Sequence, residues 1–394
     1  MQRLKAAVIG AGSTYTPELI EGFIEYKESL PFSELVLMDI DETRLQTVGN
    51  LALRQLKAGG FGCEAVLTTD LNRALDGADY VFGQIRVGKM PLRIKDEKIP
   101  LKYNLLGQET TGAGGFMKAL RTVPVIMDIT ERMKRYCEKD AWLINFSNPS
   151  GIIAEAVLNH TDINMLGLCN VPINMVKDIK EKDGFIAPDY EYIGLNHLSW
   201  ITSVEPYHAS YYLKYFENHE EEVRKCIEAE KTRGEICLEL EEKLFAQFAD
   251  ETLCVKPPEL SERGGALYST AALSAVDSVH NDKREVHVVA AKNNGAVPFM
   301  NDDDVVEIKC ELGRTSIKPL PVRIYNDYII GLMRAVKVYE KLTVEAALEG
   351  SWDKALAALN AHPLIGETEK TEPLLNQLLE ANKEYLPKGL GGLL

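Results

Sequence analysis

The segment KAAVIGAGSTYTP, residues 5–17, decides the fold. Its first five residues predict a short apolar strand, and a glycine turn leads from this strand into a helix. Thr16 is the predicted N-cap of the helix and Pro17 its first residue, because both residue types favour these positions. Tyr15 stands where the third glycine of a GxGxxG motif is expected. The order of strand, glycine turn and helix still predicts a phosphate cradle at the helix N-terminus.

The turn and a second strand together predict a dinucleotide site. Gly10 and Gly12 let the backbone approach a pyrophosphate, and Ser13 and Thr14 continue the same turn. A second apolar strand ends at Asp39, where an acid that binds ribose hydroxyls is expected. We therefore expect these five residues to bind NAD. The alternative is a glycine turn without a cofactor.

Strands and helices alternate through the first half of the chain. Asp41 can cap a helix, and further apolar strands follow at residues 64–67, 80–84, 142–146 and 164–168. This alternation of strands and helices predicts an α/β fold with a doubly wound parallel sheet of the Rossmann type, similar overall to lactate and malate dehydrogenases. We assign residues 1–168 to an NAD-binding domain and residues 169–394 to a mixed α+β domain for catalysis and oligomerisation.

The composition excludes several kinds of partner. A formal net charge of −15 over 394 residues argues against nucleic acid and against an anionic membrane surface. No apolar run reaches the roughly 18 residues of a membrane span. The seven cysteines show neither a disulfide framework nor a CxxC pattern, and no signal peptide is evident. We therefore expect a cytoplasmic protein.

A cysteine and a histidine each follow a predicted strand. Cys169 and Asn170 come directly after residues 164–168, and His197 follows a strand at residues 191–194. Ligands of doubly wound sheets bind outside the carboxyl ends of the strands. A thiolate and a neutral imidazole together suit a divalent metal ion with open coordination positions. The alternatives are a cysteine that packs as a small hydrophobic residue and a histidine with a structural role.

Other polar side chains occur in loops at the same predicted edge. Arg93, in a basic loop region after the fourth strand, can bind a phosphate or carboxylate through two hydrogen bonds. Glu109, farther along this region, can contact hydroxyl groups or order the loop. Asn148 follows the fifth strand, where its amide can face the crevice or simply open a turn. A later glycine turn presents Arg263 and Tyr268 before an apolar helix.

Seven segments resemble the NAD- and metal-dependent glycoside hydrolases of family 4, and most closely the 6-phospho-β-glucosidases of that family. The segments are VIGAGSTYTPELIEG, IPLKYNLLGQETTGAGG, NFSNPSG, GLCNVPIN, GLNHLSW, ERGGALYS and KNNGAVPF. The resemblance implies hydrolysis by oxidation of the sugar at C3, elimination between C1 and C2, addition of water and re-reduction. It implies NAD and a divalent metal ion, usually manganese, as cofactors.

The resemblance also implies roles for individual residues. Cys169 and His197 are expected to bind the metal ion, and Tyr268 to remove the C2 proton as the base. Asn148 is expected to contact sugar hydroxyls, as is Asn170, which stands at a catalytic position. Further predicted substrate contacts are Arg93, Glu109 and Arg263.

The residue after the cysteine bears on the substrate. Members of the family that act on α-glycosides carry an aspartate there, and Asn170 cannot donate a carboxylic proton, which favours the β-linkage. Many relatives have an arginine directly before the NNG sequence of residues 293–295, where this chain has Lys292. This difference weakens the assignment of Lys292 as a residue that binds the substrate phosphate. The expected substrate is a phosphorylated disaccharide or aryl glucoside, and the expected assembly a homodimer or homotetramer. The alternatives are an NAD-dependent sugar or hydroxy-acid dehydrogenase and a dinucleotide sensor.

Overall fold

A nine-stranded sheet forms the centre of the fold. The computed structural model describes residues 4–187, 189–263, 268–324 and 326–392. The strands in these residues are β1 Leu4–Ile9, β2 Phe32–Met38, β3 Glu64–Thr68, β4 Tyr80–Gly83, β5 Trp142–Asn145, β6 Asn164–Gly167, β7 Tyr192–Leu195, β8 Leu198–Ile201, β9 His208–Ala209, β10 Val286–Lys292, β11 Val305–Gly313 and β12 Ser316–Pro319. The α-helices are α1 Thr16–Glu25, α2 Glu42–Ala58, α3 Leu71–Leu75, α4 Lys89–Leu101, α5 Gly112–Tyr136, α6 Ser150–His160, α7 Val171–Asp183, α8 Lys214–Glu217, α9 His219–Glu228, α10 Arg233–Phe248, α11 Tyr268–His280, α12 Asp327–Glu349, α13 Trp352–Ala361 and α14 Thr371–Asn382.

The sheet has the strand order β12-β11-β10-β6-β5-β4-β1-β2-β3. Strands β1 to β6 pair in parallel, which confirms the predicted Rossmann-type sheet. Strands β10, β11 and β12 extend it in antiparallel order beyond β6. These three strands come from the second half of the chain, so residues on both sides of the predicted domain boundary after residue 168 form one sheet. That boundary stays a prediction.

Both faces of the sheet are buried. Along β1, Ala6 and Val8 belong to one hydrophobic cluster, whereas Ala7 and Ile9 belong to a second cluster on the other face. Successive side chains of a strand point to opposite faces, so a strand covered on both sides has apolar residues at every position. Among the described residues, no helix is both long and apolar enough to cross a membrane.

A second, three-stranded antiparallel sheet is formed by β7, β8 and β9. Leu195 pairs with Leu198, so Asn196 and His197 alone form the turn between β7 and β8. His197 has a φ of +65°, in the left-handed region that a non-glycine residue rarely adopts. This tight turn fixes the direction of the His197 side chain relative to the sheet.

The predicted start of α1 is wrong by one residue. Helix α1 begins at Thr16 itself, and Tyr15 is its N-cap without a side-chain capping bond. The Thr16 hydroxyl donates to Ala11 O at 2.8 Å and accepts from Gln84 Nε2 at 2.7 Å. It therefore joins the glycine turn to the end of β4 and is not available to cap the helix.

Candidate active site

A cavity of about 1040 Å³ lies at the carboxyl ends of the parallel strands. It extends from the glycine turn after β1 to the turn between β7 and β8. Of the residues that the sequence predicted for the site, those that line it are Gly10, Gly12, Ser13, Asp39, Arg93, Glu109, Asn148, Asn170, His197 and Arg263. The structure thus brings most of the predicted residues to one cavity, at the edge where a doubly wound sheet binds its ligands.

The glycine turn has the geometry of a dinucleotide cradle. Gly10 has a φ of +91°, and a Cβ there would lie 2.8 Å from Gln84 O. A Cβ on Gly12 would lie 2.8 Å from Asp39 Oδ2, which accepts a hydrogen bond from Gly12 N at 2.8 Å. Side chains are therefore excluded at both glycines. Thr14 is fully buried, its hydroxyl has no hydrogen-bond partner among the described residues, and its role as a cofactor contact stays a prediction.

Replacing Gly10 by alanine is expected to weaken NAD binding about 5- to 150-fold, because the positive φ and the contact with Gln84 O strain the turn by roughly 1–3 kcal/mol. Fluorescence titration with NAD measures the effect. Gly62 is the matched control, because a Cβ there would meet no atom within 4 Å. Equal NAD affinity in G10A and G62A would contradict the cradle.

Glu109 is the centre of a charged cluster in the cavity wall. Its carboxylate forms ion pairs with Arg86 and Lys118, and with Arg93 Nη1 at 2.8 Å. Burial opposes the charged form of Glu109, but the three cations, Arg86 first, hold its pKa well below its usual range. Burial lowers the pKa of Lys118 to about 7. Arg93 Nε also pairs with Glu97 Oε1 at 2.8 Å, so three basic side chains face two carboxylates, and the remaining positive charge favours an anionic ligand.

Lys118 is a residue that the sequence analysis missed. It lies on α5 with 2% of its surface exposed and lines the cavity. The available signal was that Lys118 and Arg121 are the two charged residues in the first half of that helix. A buried lysine needs a partner, and this one has Glu109, nine residues earlier.

His197 is held as a neutral ring. Its Nδ1 lies 2.7 Å from Thr110 Oγ1, and its ring stacks on Tyr212 with 4.0 Å between centroids and an interplanar angle of 4°. Burial, the largest effect, lowers the pKa of His197 to about 3. Because Nδ1 is used by Thr110, Nε2 is the nitrogen left for a ligand. Thr110 and Tyr212 were missed, since neither lies near His197 in a predicted strand or turn pattern.

Cys169 follows β6 and is buried beside the cavity, without lining it in the described residues. Burial, and then the nearby Glu307 carboxylate, raise the pKa of its thiol. Tyr212, whose ring stacks on His197, has a pKa that is raised first by burial and then by the charge of the Cys169 thiolate. The thiol and the imidazole therefore have Tyr212 as a common neighbour. In the part of the chain that the structure describes, no three His, Cys, Asp or Glu side chains gather into a closed metal site. A thiol and a neutral imidazole fit a divalent ion whose other positions go to substrate and water.

Two asparagines follow β5 and β6 at the cavity. Asn170 is the N-cap of α7, but its side chain makes no capping hydrogen bond. Asn148 lies just beyond β5 and lines the same cavity. An N-cap asparagine usually binds the first turn of its helix, so the amide of Asn170 remains available to a ligand. Their roles as substrate contacts stay predictions.

Arg263 is brought to the glycine turn and is already paired. Its Nη2 lies 3.1 Å from Glu241 Oε2, and its guanidinium lies 5.0 Å from the centroid of the Tyr15 ring. Glu241 also binds Arg44 Nη1 at 2.7 Å, and Arg44 Nε donates to Gly12 O at 3.2 Å. The network joins Arg263 to the cofactor cradle. Its role as a substrate contact stays a prediction.

Tyr268, the predicted base, begins α11, but its side chain lies outside the described residues, as do residues 264–267. Its catalytic role therefore stays a prediction. Lys292 is the last residue of β10 and is not among the described residues that line the cavity.

The glycine turn, the acid after β2 and the cavity at the strand ends define a dinucleotide-binding α/β protein. Malate dehydrogenase from Plasmodium falciparum has the same fold, with a TM-score of 0.54 at 13% identity over 88% of this chain and 99% of that chain. Residues 5–184 match the model of the family 4 glycosyl hydrolases, and residues 204–365 match the C-terminal domain of that family. The chain belongs to glycoside hydrolase family 4.

Two relatives are similar over nearly their whole length. A probable 6-phospho-β-glucosidase of Bacillus subtilis is 37% identical, and the match covers 98% of each chain. The structure of the 6-phospho-β-glucosidase of Thermotoga maritima with manganese, NAD⁺ and glucose-6-phosphate is 34% identical. It has a TM-score of 0.90 and covers 98% of this chain and 99% of that chain.

Proposed function

We propose that this chain hydrolyses 6-phospho-β-glucosides with NAD and a divalent metal ion, Mn²⁺ in the first instance, as cofactors. The observation that carries the proposal is the single cavity that joins the glycine turn and Asp39 to Asn170 and His197. A dinucleotide and a sugar held by these residues share one space. The names and ligands of the Bacillus and Thermotoga relatives support the same activity.

When bound, NAD⁺ supplies a hydride acceptor and the metal ion supplies Lewis-acid stabilisation of charge on the sugar oxygens. The N–H groups of the glycine turn would hold the pyrophosphate, and Asp39 a ribose. Cys169 and the Nε2 atom of His197 would hold the metal ion. Thr110 keeps His197 in one tautomer through Nδ1.

The remaining residues would hold the sugar. Asn148 and Asn170 can donate to and accept from its hydroxyl groups. Arg93, with the excess of positive charge around Glu109, favours the phosphorylated form of the substrate. Tyr268 would remove the C2 proton after oxidation at C3.

The β-linkage is proposed from Asn170. Family members that act on α-glycosides carry an aspartate at this position, and Asn170 cannot supply a carboxylic proton in its place, which favours the β-linkage. The substrate is therefore a β-linked 6-phosphoglucoside of a sugar or of a phenol. We also propose a homodimer or homotetramer in the cytoplasm, where cysteines remain reduced, as all seven are free thiols.

The test uses nitrophenyl 6-phosphoglucosides with and without NAD⁺ and Mn²⁺. We expect nitrophenol release from the β-anomer only when both cofactors are present, without net accumulation of NADH. Release from the unphosphorylated β-glucoside is expected to be at least about a hundredfold slower, since a site built for a charged group rejects substrates without it. Release from the α-anomer is expected to be slower than release from the β-anomer. Stoichiometric NADH without nitrophenol would instead identify a dehydrogenase.

A further inference from the structure

A buried polar cluster lies behind the two predicted metal ligands. Glu307, on β11, is 3% exposed and accepts hydrogen bonds from Tyr192 OH at 2.7 Å and from Asn196 Nδ2 at 3.3 Å. None of these three residues lines the cavity in the described part of the chain. They join the β7–β8 turn to the main sheet without touching the space for substrate.

Burial of the Glu307 carboxylate is energetically unfavourable. Among the described residues it has no cation within ion-pair distance, and burial raises its pKa to about 7. A buried carboxylate that is bound only by neutral donors contributes little to stability, and an apolar residue of similar size would avoid the desolvation cost. The positions of its hydrogen-bond partners indicate that the carboxylate orients another side chain.

Asn196 is the partner that connects Glu307 to the site. It directly precedes His197 in the two-residue turn, and its side chain lies close enough to the Cys169 thiol to lower the pKa of that thiol against the effect of burial. The amide group of asparagine has two N–H donors, so one can bind Glu307 and the other the sulfur. Helix α6 packs closely against Asn196 at Gly151, where a Cβ would lie 2.9 Å from Asn196 Cβ.

We propose that Glu307 and Asn196 are a positioning pair for the metal ligands: Glu307 orients the Asn196 amide, which directs an N–H to the Cys169 sulfur and fixes the turn that carries His197. This inference rests on the proposed metal role of Cys169 and His197. An N–H donor beside a thiolate stabilises its charge and limits its rotation, and such outer partners tune the affinity of a metal site.

The test measures Mn²⁺ binding to the NAD-loaded protein by the electron paramagnetic resonance signal of free Mn²⁺. Asn196→Asp keeps the shape of the side chain but removes its donor, and Glu307→Met keeps the approximate size of the side chain but removes the acceptor of the Asn196 amide. We expect both variants to bind Mn²⁺ about 10- to 100-fold more weakly than the unchanged protein. With Co²⁺ in place of Mn²⁺, we expect a weaker thiolate-to-cobalt charge-transfer band.

Tyr192→Phe is the matched control, because it removes the other hydrogen bond to Glu307 and leaves Asn196 in place. It is expected to keep the Mn²⁺ affinity within about threefold and the cobalt band unchanged, as expected for a hydrogen bond remote from the ligands. Unchanged Mn²⁺ affinity in N196D and E307M, with weak binding in C169S, would overturn the positioning pair alone. Unchanged affinity in C169S as well would overturn the metal role of Cys169. An equal loss in Tyr192→Phe would show that any hydrogen bond to Glu307 has the same effect on the metal site and that Asn196 has no special role, which also overturns the proposal.

Discussion

Replacement of Cys169 by serine is expected to lower kcat/KM for the 6-phospho-β-glucoside by at least about a thousandfold, equivalent to about 4 kcal/mol of lost transition-state stabilisation. Cys169 is the second residue after β6, and its thiol is buried beside the cavity. A metal ion deprotonates a coordinating thiol, so cysteine brings a negative charge that a serine hydroxyl does not bring at neutral pH. Steady-state kinetics at saturating NAD⁺ and Mn²⁺ and a direct Mn²⁺ titration measure the two consequences.

Cys310 provides the control for the loss of a buried sulfur. Its side chain is also fully buried, in β11, and it is not among the described residues that line the cavity. C310S is expected to lose roughly 1 kcal/mol of stability and to keep its kcat/KM, because a buried hydroxyl in place of the thiol affects folding and not the metal site. Activity in C169S within a few-fold of the unchanged protein would refute the ligand role.

The parallel half of the sheet could be predicted because its signal is local. Each strand is a short apolar run, and turn residues and helix caps separate it from the next helix. Asp41, for example, caps α2 through its side chain as predicted. The start of α1 could not be predicted, since the Thr16 hydroxyl binds Ala11 O and Gln84 Nε2, contacts that form only when the strands assemble.

The site was predictable where function follows a strand end and unpredictable where it depends on distant contacts. Cys169, Asn170 and His197 each follow a strand, and the resemblance to family 4 supplied their roles. Glu307 is 111 residues from Asn196, and no sequence pattern pairs them. Arg263 illustrates the same limit, because its ion pair with Glu241 depends on where α10 packs.

Replacement of Glu109 by glutamine is expected to lower both stability and activity. The change leaves Arg86, Arg93 and Lys118 close together in a buried wall without their shared carboxylate. Removal of one partner from a buried charge network costs about 3–5 kcal/mol of the free energy of unfolding. We expect kcat/KM to fall about a hundredfold as well, because small displacements of groups that hold the substrate have effects of that size. Urea unfolding of the cofactor-free protein and steady-state kinetics measure the two effects.

The dependence of this effect on pH tests its electrostatic origin. The folded-state pKa of Glu109 lies below its unfolded value of about 4.3, so its contribution is present above that pH and is lost as the pH falls. The difference in unfolding free energy between the unchanged protein and E109Q is therefore expected to shrink as the pH falls below about 4.

Glu131 is the control for this comparison, since it is exposed and pairs with Lys134 at 3.2 Å on the surface of α5. E131Q is expected to change stability by less than about 1 kcal/mol and to leave kcat/KM unchanged. A loss of stability in E109Q without a loss of activity would show that the charged cluster only orders its loop. Loss of both, with a larger rise in KM for the phosphorylated than for the unphosphorylated glucoside, would assign the excess positive charge to the substrate phosphate.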